Sequence, residues 1–161
     1  MNNPEADNKM TVLVTGSAGF IGSNLALQLI KRNGNMTVVG VDNLNDYYDV
    51  SLKEHRLAIL DKTSKEDDTG EWFFEKGSIA DAGFVKGIFE KYRPKIVVNL
   101  AAQAGVRYSI DHPDVYMESN VMGFYNILEA CRHSYDNGDE GVEHLVYASS
   151  SSVYGNAKKV P

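Results

Sequence analysis

The stretch Val12–Gly22, VLVTGSAGFIG, decides the fold. A β-branched apolar run passes into a turn with glycines at 16, 19 and 22, and from there straight into a helical pattern. Gly16, Gly19 and Gly22 answer separate steric demands: a tight turn, close approach of the backbone to a pyrophosphate, and close packing of helix on strand. The first helical turn leaves N–H groups without intrahelical partners, which suits it to an anion. Asp42 follows Gly22 by 20 positions and ends the next apolar run, Met36 to Val41, where an acid can accept a ribose hydroxyl. Strand, glycine turn, helix and acid in this order predict a dinucleotide site. The charge of Asp42, with no arginine in the next several residues, favours NAD over its 2′-phosphorylated form. The glycines alone would also fit a plain βα turn, and Asp42 an ordinary cap.

Outward from this unit, strand and helix alternate. The first helix places Phe20, Ile21, Leu25, Leu29 and Ile30 near one face and ends at Asn33-Gly34-Asn35. Ser51 to Leu60 reads as a helix with Leu52, Arg56, Ile59 and Leu60 in register and Ser51 with Glu54 as a capping box. Asp61 to Gly70 is charged and reads as a surface connection. Glu71 to Gly77 is a third strand, and Asp81 caps a helix burying Phe84, Val85, Ile88 and Phe89, closed by Arg93-Pro94. Ile96 to Leu100 has the continuous apolar character of a strand covered on both faces. One long helix is expected from Pro113 towards Tyr135, with Val115, Val121, Phe124, Ile127, Leu128 and Cys131 inward and Asp136-Asn137-Gly138 ending it; His144 to Ala148 is a fifth strand. The expected fold is α/β, a Rossmann-type doubly wound parallel sheet in the order 3-2-1-4-5. Residues 1–9 read as a loose tail and 10–161 as one nucleotide-binding domain.

Composition narrows the partners. A chain of 161 residues can remove roughly 68–70% of its unfolded surface from water, enough for one core. Its net charge of -6 argues against nucleic acid and anionic membranes as general partners. The single cysteine, Cys131, cannot form an intrachain disulfide, the polar start MNNPEADNK lacks a signal-like apolar core, and no apolar run reaches the length of a membrane span. These features predict a soluble, cytoplasmic protein. The four histidines are dispersed without metal-ligand spacing, so no metal site is expected.

Five stretches, TGSAGFIG, DNLNDYYDVSLKEHRL, NLAAQAGVRYS, ESNVMGFYNILEACR and LVYASSSSVYG, together resemble the NAD-dependent nucleotide-sugar epimerases and dehydratases of the extended short-chain dehydrogenase/reductase family. DNLNDYYDVSLK and AAQAGVRYS are most similar to the UDP-glucuronate 4-epimerases, and the resemblance spans nearly all of residues 10–161. It implies a UDP-sugar substrate, UDP-glucuronate or UDP-galacturonate, whose carbon 4 gives up hydride to NAD and takes it back on the other face.

The resemblance also implies site residues. Phe20 and Ile21 match backbone donors at the pyrophosphate, Asp42 and Asn43 the adenosine end, and Leu100, Ala101 and Ala102 the small-residue strand end under the nicotinamide ribose. Asn120 matches a helix asparagine near the site. Ser78 departs from the family's acid at the adenine amino group, while Ile79 can still pack on the ring. Ser150 matches the catalytic hydroxyl, and Arg107, Ser151 and Ser152 are candidates for a uronate carboxylate, Arg107 being equally suited to a surface ion pair. Tyr154 and Lys158 have the family's acid/base spacing, but Gly155-Asn156 between them is a turn signal rather than a helix, so the pair is rejected. In the family the true pair comes on the next helix, and relatives pair through that helix and the one before it, so a homodimer contact is expected on Pro113 to Tyr135. On this resemblance 10–161 is expected to be an incomplete NAD-binding Rossmann domain, truncated after strand 5 and without the C-terminal substrate domain. The chain alone is then expected to be inactive, with its fifth strand left as an edge that brings self-association or lowered stability. A non-catalytic NAD-binding module, or a nucleotide-sugar dehydratase, decarboxylase or reductase, are the alternatives.

Overall fold

A computed structural model describes residues 9–32, 35–66, 68–136, 138 and 140–156. Five parallel strands lie in the order β3-β2-β1-β4-β5: β1 Met10–Thr15, β2 Met36–Asp42, β3 Glu71–Lys76, β4 Ile96–Asn99 and β5 His144–Tyr147. Helices α1 (Phe20–Arg32) and α2 (Val50–Thr63) connect the strands on one side, α3 (Ala82–Tyr92) and α6 (Phe124–His133) on the other. Between β4 and α6 run two single-turn helices, α4 (Tyr108–Asp111) and α5 (Pro113–Tyr116), and a π-helical segment, Met117–Gly123.

The strand alternation divides the core. Val12, Val14, Val38 and Val98 pack with Ala26, Ile30, Leu57 and Leu60 on the α1/α2 side, while Leu13, Val39, Val41 and Val97 pack with Val85, Ile88, Phe89 and Ile127 on the α3/α6 side. Each such side chain contributes about 1.5–3 kcal/mol by leaving water. Neighbours on both faces explain why β1, β2 and β4 read as continuous apolar runs. As the edge beside β4, β5 is covered on neither face to the same degree, and Val146 and Tyr147 are exposed.

Several expected helix faces are rotated. On α1 the sheet is met by Gly22, Ser23, Ala26 and Ile30, with Leu25 and Leu29 half-buried, whereas Phe20 and Ile21 are exposed because the first turn borders a cleft at the strand ends. Helix α2 buries Lys53, Leu57, Leu60 and Thr63, leaving Leu52 and Ile59 exposed. It starts one residue earlier than expected, so Ser51 falls inside it and Asp49 caps it by accepting from Ser51 N at 2.9 Å. It also continues to Thr63, into the stretch expected to be a connection.

The helix expected from 113 to 135 runs without a break from Pro113 to His133, but as α5, the π segment and α6 rather than as a uniform α-helix. A π turn holds more residues than an α turn and shifts the phase of the helix beyond it. Gly123, Asn126 and Ile127 consequently face inward, while Val121 and Leu128 are exposed and Cys131 is half-buried. The Asp81 cap and the closing turn at Arg93 are present: Asp81 Oδ1 accepts from Phe84 N at 3.0 Å, and Arg93 takes a left-handed φ of 45°. Tail residues 1–8, Asn33 and Gly34 in the expected α1 stop, and Asn137 in the expected α6 stop lie outside the described residues. Lys9, assigned to the tail, pairs with Glu71 of β3 at 2.8 Å.

Helix α1 rests so closely on the turn before it that a Cβ at Gly22 would stand 2.1 Å from the Gly16 carbonyl oxygen. Gly22→Ala should lower stability by about 1–3 kcal/mol or more, as overpacking against backbone does. Gly87 in α3 meets nothing within 4 Å, so Gly87→Ala should stabilise by about 0.5–1 kcal/mol. Urea unfolding midpoints of the two variants check both signs.

Candidate functional site

The ends of β1, β2 and β4 converge where the strand order reverses, and a cleft opens there above the β1–α1 turn. Its floor is Gly16 and Gly19; its walls include Asp42, Asn43, Ser78 and Ile79 on one side and Leu100, Ala101, Ala102 and Gln103 on the other. Such switch points are the usual ligand site of open α/β sheets. A larger groove of about 570 Å³ between α3 and α6 contains none of the residues proposed from the sequence for cofactor, substrate or catalysis. The smaller cleft is the better candidate because the glycine turn and the converging polar groups face it.

Gly16 takes a left-handed φ of 68°, and a Cβ there would lie 2.9 Å from both Ala101 N and Leu100 C. Only glycine lets the turn pass this close to the end of β4. The turn is closed by Gly19 N donating to Gly16 O at 3.0 Å and Ser17 N donating to Val41 O at 3.1 Å. Arg56 of α2 also donates from Nη1 to Ala18 O at 3.1 Å. Phe20 and Ile21 stand in the first turn of α1, where backbone N–H groups have no intrahelical acceptor, and their side chains point to solvent.

Asp42 is buried, 8% exposed, and its carboxylate is already engaged: Oδ2 accepts from Ala18 N at 3.1 Å and Oδ1 from Leu44 N at 2.9 Å. Lys53, also buried, places Nζ 3.8 Å from Asp42 Oδ1 and donates to both the backbone and side-chain oxygens of Asn45 at 2.8 Å. This cation partly balances the charge of Asp42, although the sequence showed no basic residue close behind it. Asn43 turns its own Oδ1 back to accept from Asn45 N at 3.1 Å.

Across the cleft, Thr15 Oγ1 donates to Asn99 Oδ1 at 2.6 Å and accepts from Leu100 N and Ala101 N, each at 3.1 Å. The β1–β4 ladder ends at Thr15 and Asn99, and this hydroxyl then takes over the next two amides. The nearby Asn120 side chain makes a reciprocal pair with Gln103, accepting from its N at 2.8 Å and donating to its O at 2.9 Å. Ile79 is buried, and Ser78, which lines the cleft, also shapes its loop by accepting from Ala80 N through Oγ at 3.2 Å. Asn126 of α6 fixes the same loop from behind by donating to Ile79 O and Ala80 O, both at 2.9 Å.

The remaining candidates lie apart from the cleft lining. Arg107 is exposed at the start of α4. Ser150 is exposed just past β5 and caps the short 3-10 turn Ser151–Tyr154 by accepting from Ser152 N at 3.2 Å. Ser152 is exposed, and the side chain of Ser151 lies outside the described residues. Tyr154 ends that turn, and Gly155, with φ of 57°, redirects the chain; Lys158 is outside the described residues. Residues the sequence did not flag, Thr15, Asn99, Lys53, Tyr47, Gln103 and Asn126, hold the site together. Among them only Asn99 and Thr15 carried a local signal, a polar residue ending an apolar strand.

Tyr116 and Cys131 are among the groups that depart from their ordinary acidity. Desolvation, followed by the neighbouring Tyr47, raises the Tyr116 phenol, which donates to Ala104 O at 2.8 Å. Burial pushes the Cys131 thiol up to about 11, which keeps it in the unreactive thiol form at neutral pH. Among the described residues no cluster of three metal-type ligands occurs, and no helix is long and apolar enough to cross a membrane.

Comparison with known proteins adds to this geometry. The family model described as GDP-mannose 4,6 dehydratase matches residues 13–161. Protein CapI of Staphylococcus aureus is 49% identical over 146 residues, 91% of this chain and 39% of CapI. UDP-glucuronate 4-epimerase 2 of Arabidopsis thaliana is 44% identical over 154 residues, 96% of this chain and 32% of that protein. The chain thus spans about a third to two fifths of these relatives' length. Among solved structures, a variant UDP-glucuronic acid 4-epimerase of Bacillus cereus, in complex with NAD and UDP-4-deoxy-4-fluoro-glucuronic acid, superposes with a TM-score of 0.74 at 30% identity, over 94% of this chain and 44% of that one.

Since the Thr15 hydroxyl joins the parting strand ends, Thr15→Val should cost about 1–3 kcal/mol, because it orphans buried polar partners. Thr15→Ser, which keeps the hydroxyl, should cost distinctly less. Equilibrium unfolding in urea distinguishes the two.

Proposed function

The chain belongs to the GDP-mannose 4,6 dehydratase family, and from that premise we propose that residues 10–161 form the NAD-binding domain of a UDP-uronate 4-epimerase. The observation that carries this reading is the buried Asp42 carboxylate standing beside a glycine floor that no side chain could share. Those residues fit the cofactor: Gly16 and Gly19, with the N–H groups of Phe20 and Ile21, would face the pyrophosphate, and Gly22 lets the helix come close enough. Asp42 and Asn43 would hold the adenosine ribose, Ser78 and Ile79 the adenine, and Leu100, Ala101 and Ala102 the nicotinamide ribose, with Asn120 bracing that side. NAD would supply the hydride acceptor and donor for carbon 4 of the sugar.

Ser150, exposed beyond the end of β5, would offer a hydroxyl to the sugar's 4-oxygen, while Arg107, Ser151 and Ser152 would meet the uronate carboxylate. The likeness to UDP-glucuronate 4-epimerases supports a uronate over a neutral sugar. Lys53, 3.8 Å from Asp42 Oδ1, partly offsets the charge of Asp42, so the selection against a 2′-phosphate would be weaker than an unpaired carboxylate gives. On this reading the 161-residue chain holds cofactor without turning over.

NADH fluorescence titration tests the cofactor assignment. The chain should bind NADH in preference to NADPH, and Asp42→Asn should weaken NADH by roughly ten- to a hundredfold, the size of a hydrogen bond to a charged acceptor. Equal binding of NADPH, or an Asp42→Asn variant that folds and binds NADH as tightly as before, would count against it. A coupled assay on UDP-glucuronate should show no epimerisation by this chain; robust turnover would return attention to Tyr154 and Lys158.

The segment expected to meet a second copy presents Met117, Val121, Tyr125 and Leu128 as one exposed stripe at helical spacing. We propose it as a homodimer contact. Replacing Val121 and Leu128 together by lysine should shift any dimer seen by sedimentation to monomer, and an unchanged dimer would place the contact elsewhere.

A further inference from the structure

Two loops from opposite sides of the switch point meet above the cleft. The β2–α2 loop brings Tyr47 and Tyr48; the segment after β4 brings Gly105, Tyr108 and Tyr116. The rings of Tyr47 and Tyr108 lie 4.8 Å apart, centre to centre. Tyr108 is backed in turn by His112 at 4.3 Å. Gly105 has a φ of 102°, and a Cβ there would stand 2.3 Å from the Tyr47 hydroxyl oxygen, so the glycine leaves the space that the tyrosine occupies. The far side of this contact is steadied by the Tyr116 phenol on Ala104 O at 2.8 Å. Its near side is steadied by Lys53, whose two 2.8 Å hydrogen bonds to Asn45 fix the base of the loop that carries Tyr47.

This bridging contact stands at the rim of a narrow cleft that is open to solvent on one side and lined by Tyr47. The cleft below it measures about 140 Å³, whereas pockets for drug-sized ligands run roughly 300–1,000 Å³. A dinucleotide is a large ligand on that scale. The floor has little room to yield, since a Cβ at Gly16 or Gly22 would stand 2.9 or 2.1 Å from neighbouring backbone and the side chains of β1 and β2 beneath are buried. The wall by Thr15 is a buried hydrogen-bonded joint. The element left to move is the bridge, which is held mainly by ring contacts near the surface.

We infer that Tyr47 and Tyr108 form a clasp that lifts to admit the dinucleotide and closes to hold it, with Lys53 as the positioning residue of its hinge. This rests on the NAD-binding reading and adds to it that cofactor residence is set by one aromatic contact between the two loops. Tyr47 lines the cleft, so the ring that pairs with Tyr108 also faces whatever the cleft holds.

The test uses the 161-residue chain with NADH as the probe, its release followed by fluorescence after a chase with excess NAD⁺. Tyr47→Ala should speed release roughly five- to tenfold, the scale of one aromatic pair, without slowing association. Tyr108→Ala, on the other loop, should do the same, and the double variant should release no faster than either single, because there is one contact to lose. Tyr47→Phe keeps the ring pair and should stay within about twofold of the parent, which a loss of general loop order would not allow. Should Tyr47→Ala fail to fold, Tyr47→Leu is read by the same criterion. Release rates within about twofold of the parent in both single variants, or effects that multiply in the double variant, overturn the clasp while leaving the NAD assignment standing. Absence of NADH binding by the parent chain overturns both.

Discussion

The carboxylate of Asp42 is the joint on which the site depends. A buried carboxylate is costly unless its oxygens are hydrogen-bonded, and here Ala18 N, Leu44 N and the nearby Lys53 ammonium compensate it. Each of these partners belongs to a different piece of chain: the glycine turn, the β2–α2 loop and α2. The acid therefore sets the turn's position relative to β2, aims the adjoining loop across the cleft, and gives α2 a reason to bury a lysine. Parallel pairing of β1 with β2, with Thr15 opposite Val41, delivers Asp42 to the level of the turn. Charge-assisted bonds of this kind are about twice as strong as neutral ones, so a single residue can organise three segments.

A second constraint acts on the other side of the cleft. Strands β1 and β4 must part there to leave room, and parting strands expose amides. The Thr15 hydroxyl solves this by accepting from Leu100 N and Ala101 N while donating to Asn99. Glycine at 16 is a consequence, because the diverging backbone of β4 occupies the space that any Cβ would need. The π segment has a comparable logic: it brings Gly123 against Ile79, where a Cβ would lie 2.6 Å from Cγ1, and leaves Asn126 to anchor the same loop. Insertions of this kind are often found at functional sites; here the effect is to press α6 onto the loop that forms one wall.

The strand order was legible because apolar strands and amphipathic helices alternate regularly, and right-handed crossovers leave few other arrangements. Gly16, Gly19, Asp42, Asn43, Ile79 and the alanines after β4 gather in one cleft because each sits at or near a strand's C-terminal end; spacing pointed to the glycines and Asp42, and the family resemblance to the others. Helix faces were less legible. On α1 and α2 the buried stripe includes Gly22, Ser23, Lys53 and Thr63, small or polar residues that hydrophobic periodicity overlooks. Ser51 offered a capping box, but Asp49, two residues earlier, bonds the same turn and starts the helix sooner. The phase of α6 could not be read because a π turn leaves no distinctive composition. Asn126 and Tyr47 act through partners far away in the chain, and Lys53 acts through Asp42 and Asn45, which only the folding of the loop between them brings to it.

The site therefore divides into parts of unequal stiffness. Its floor and the Thr15 wall consist of buried hydrogen bonds and backbone contacts without slack, continuous with the two halves of the core. Its roof consists of tyrosines from two loops that touch near the surface. Local opening has its lowest cost where few buried contacts must be broken, so motion concentrates in the roof while the cradle keeps its shape. On the function proposed above, that division would suit a chemistry in which the same cofactor takes a hydride and gives it back. Such a reaction leaves the cofactor unchanged after each turnover, so rapid exchange gains nothing, whereas a preformed cradle keeps the geometry constant for both transfers. A dehydrogenase that must release reduced cofactor every cycle faces the opposite demand, and a bridge tying the two loops together would slow it.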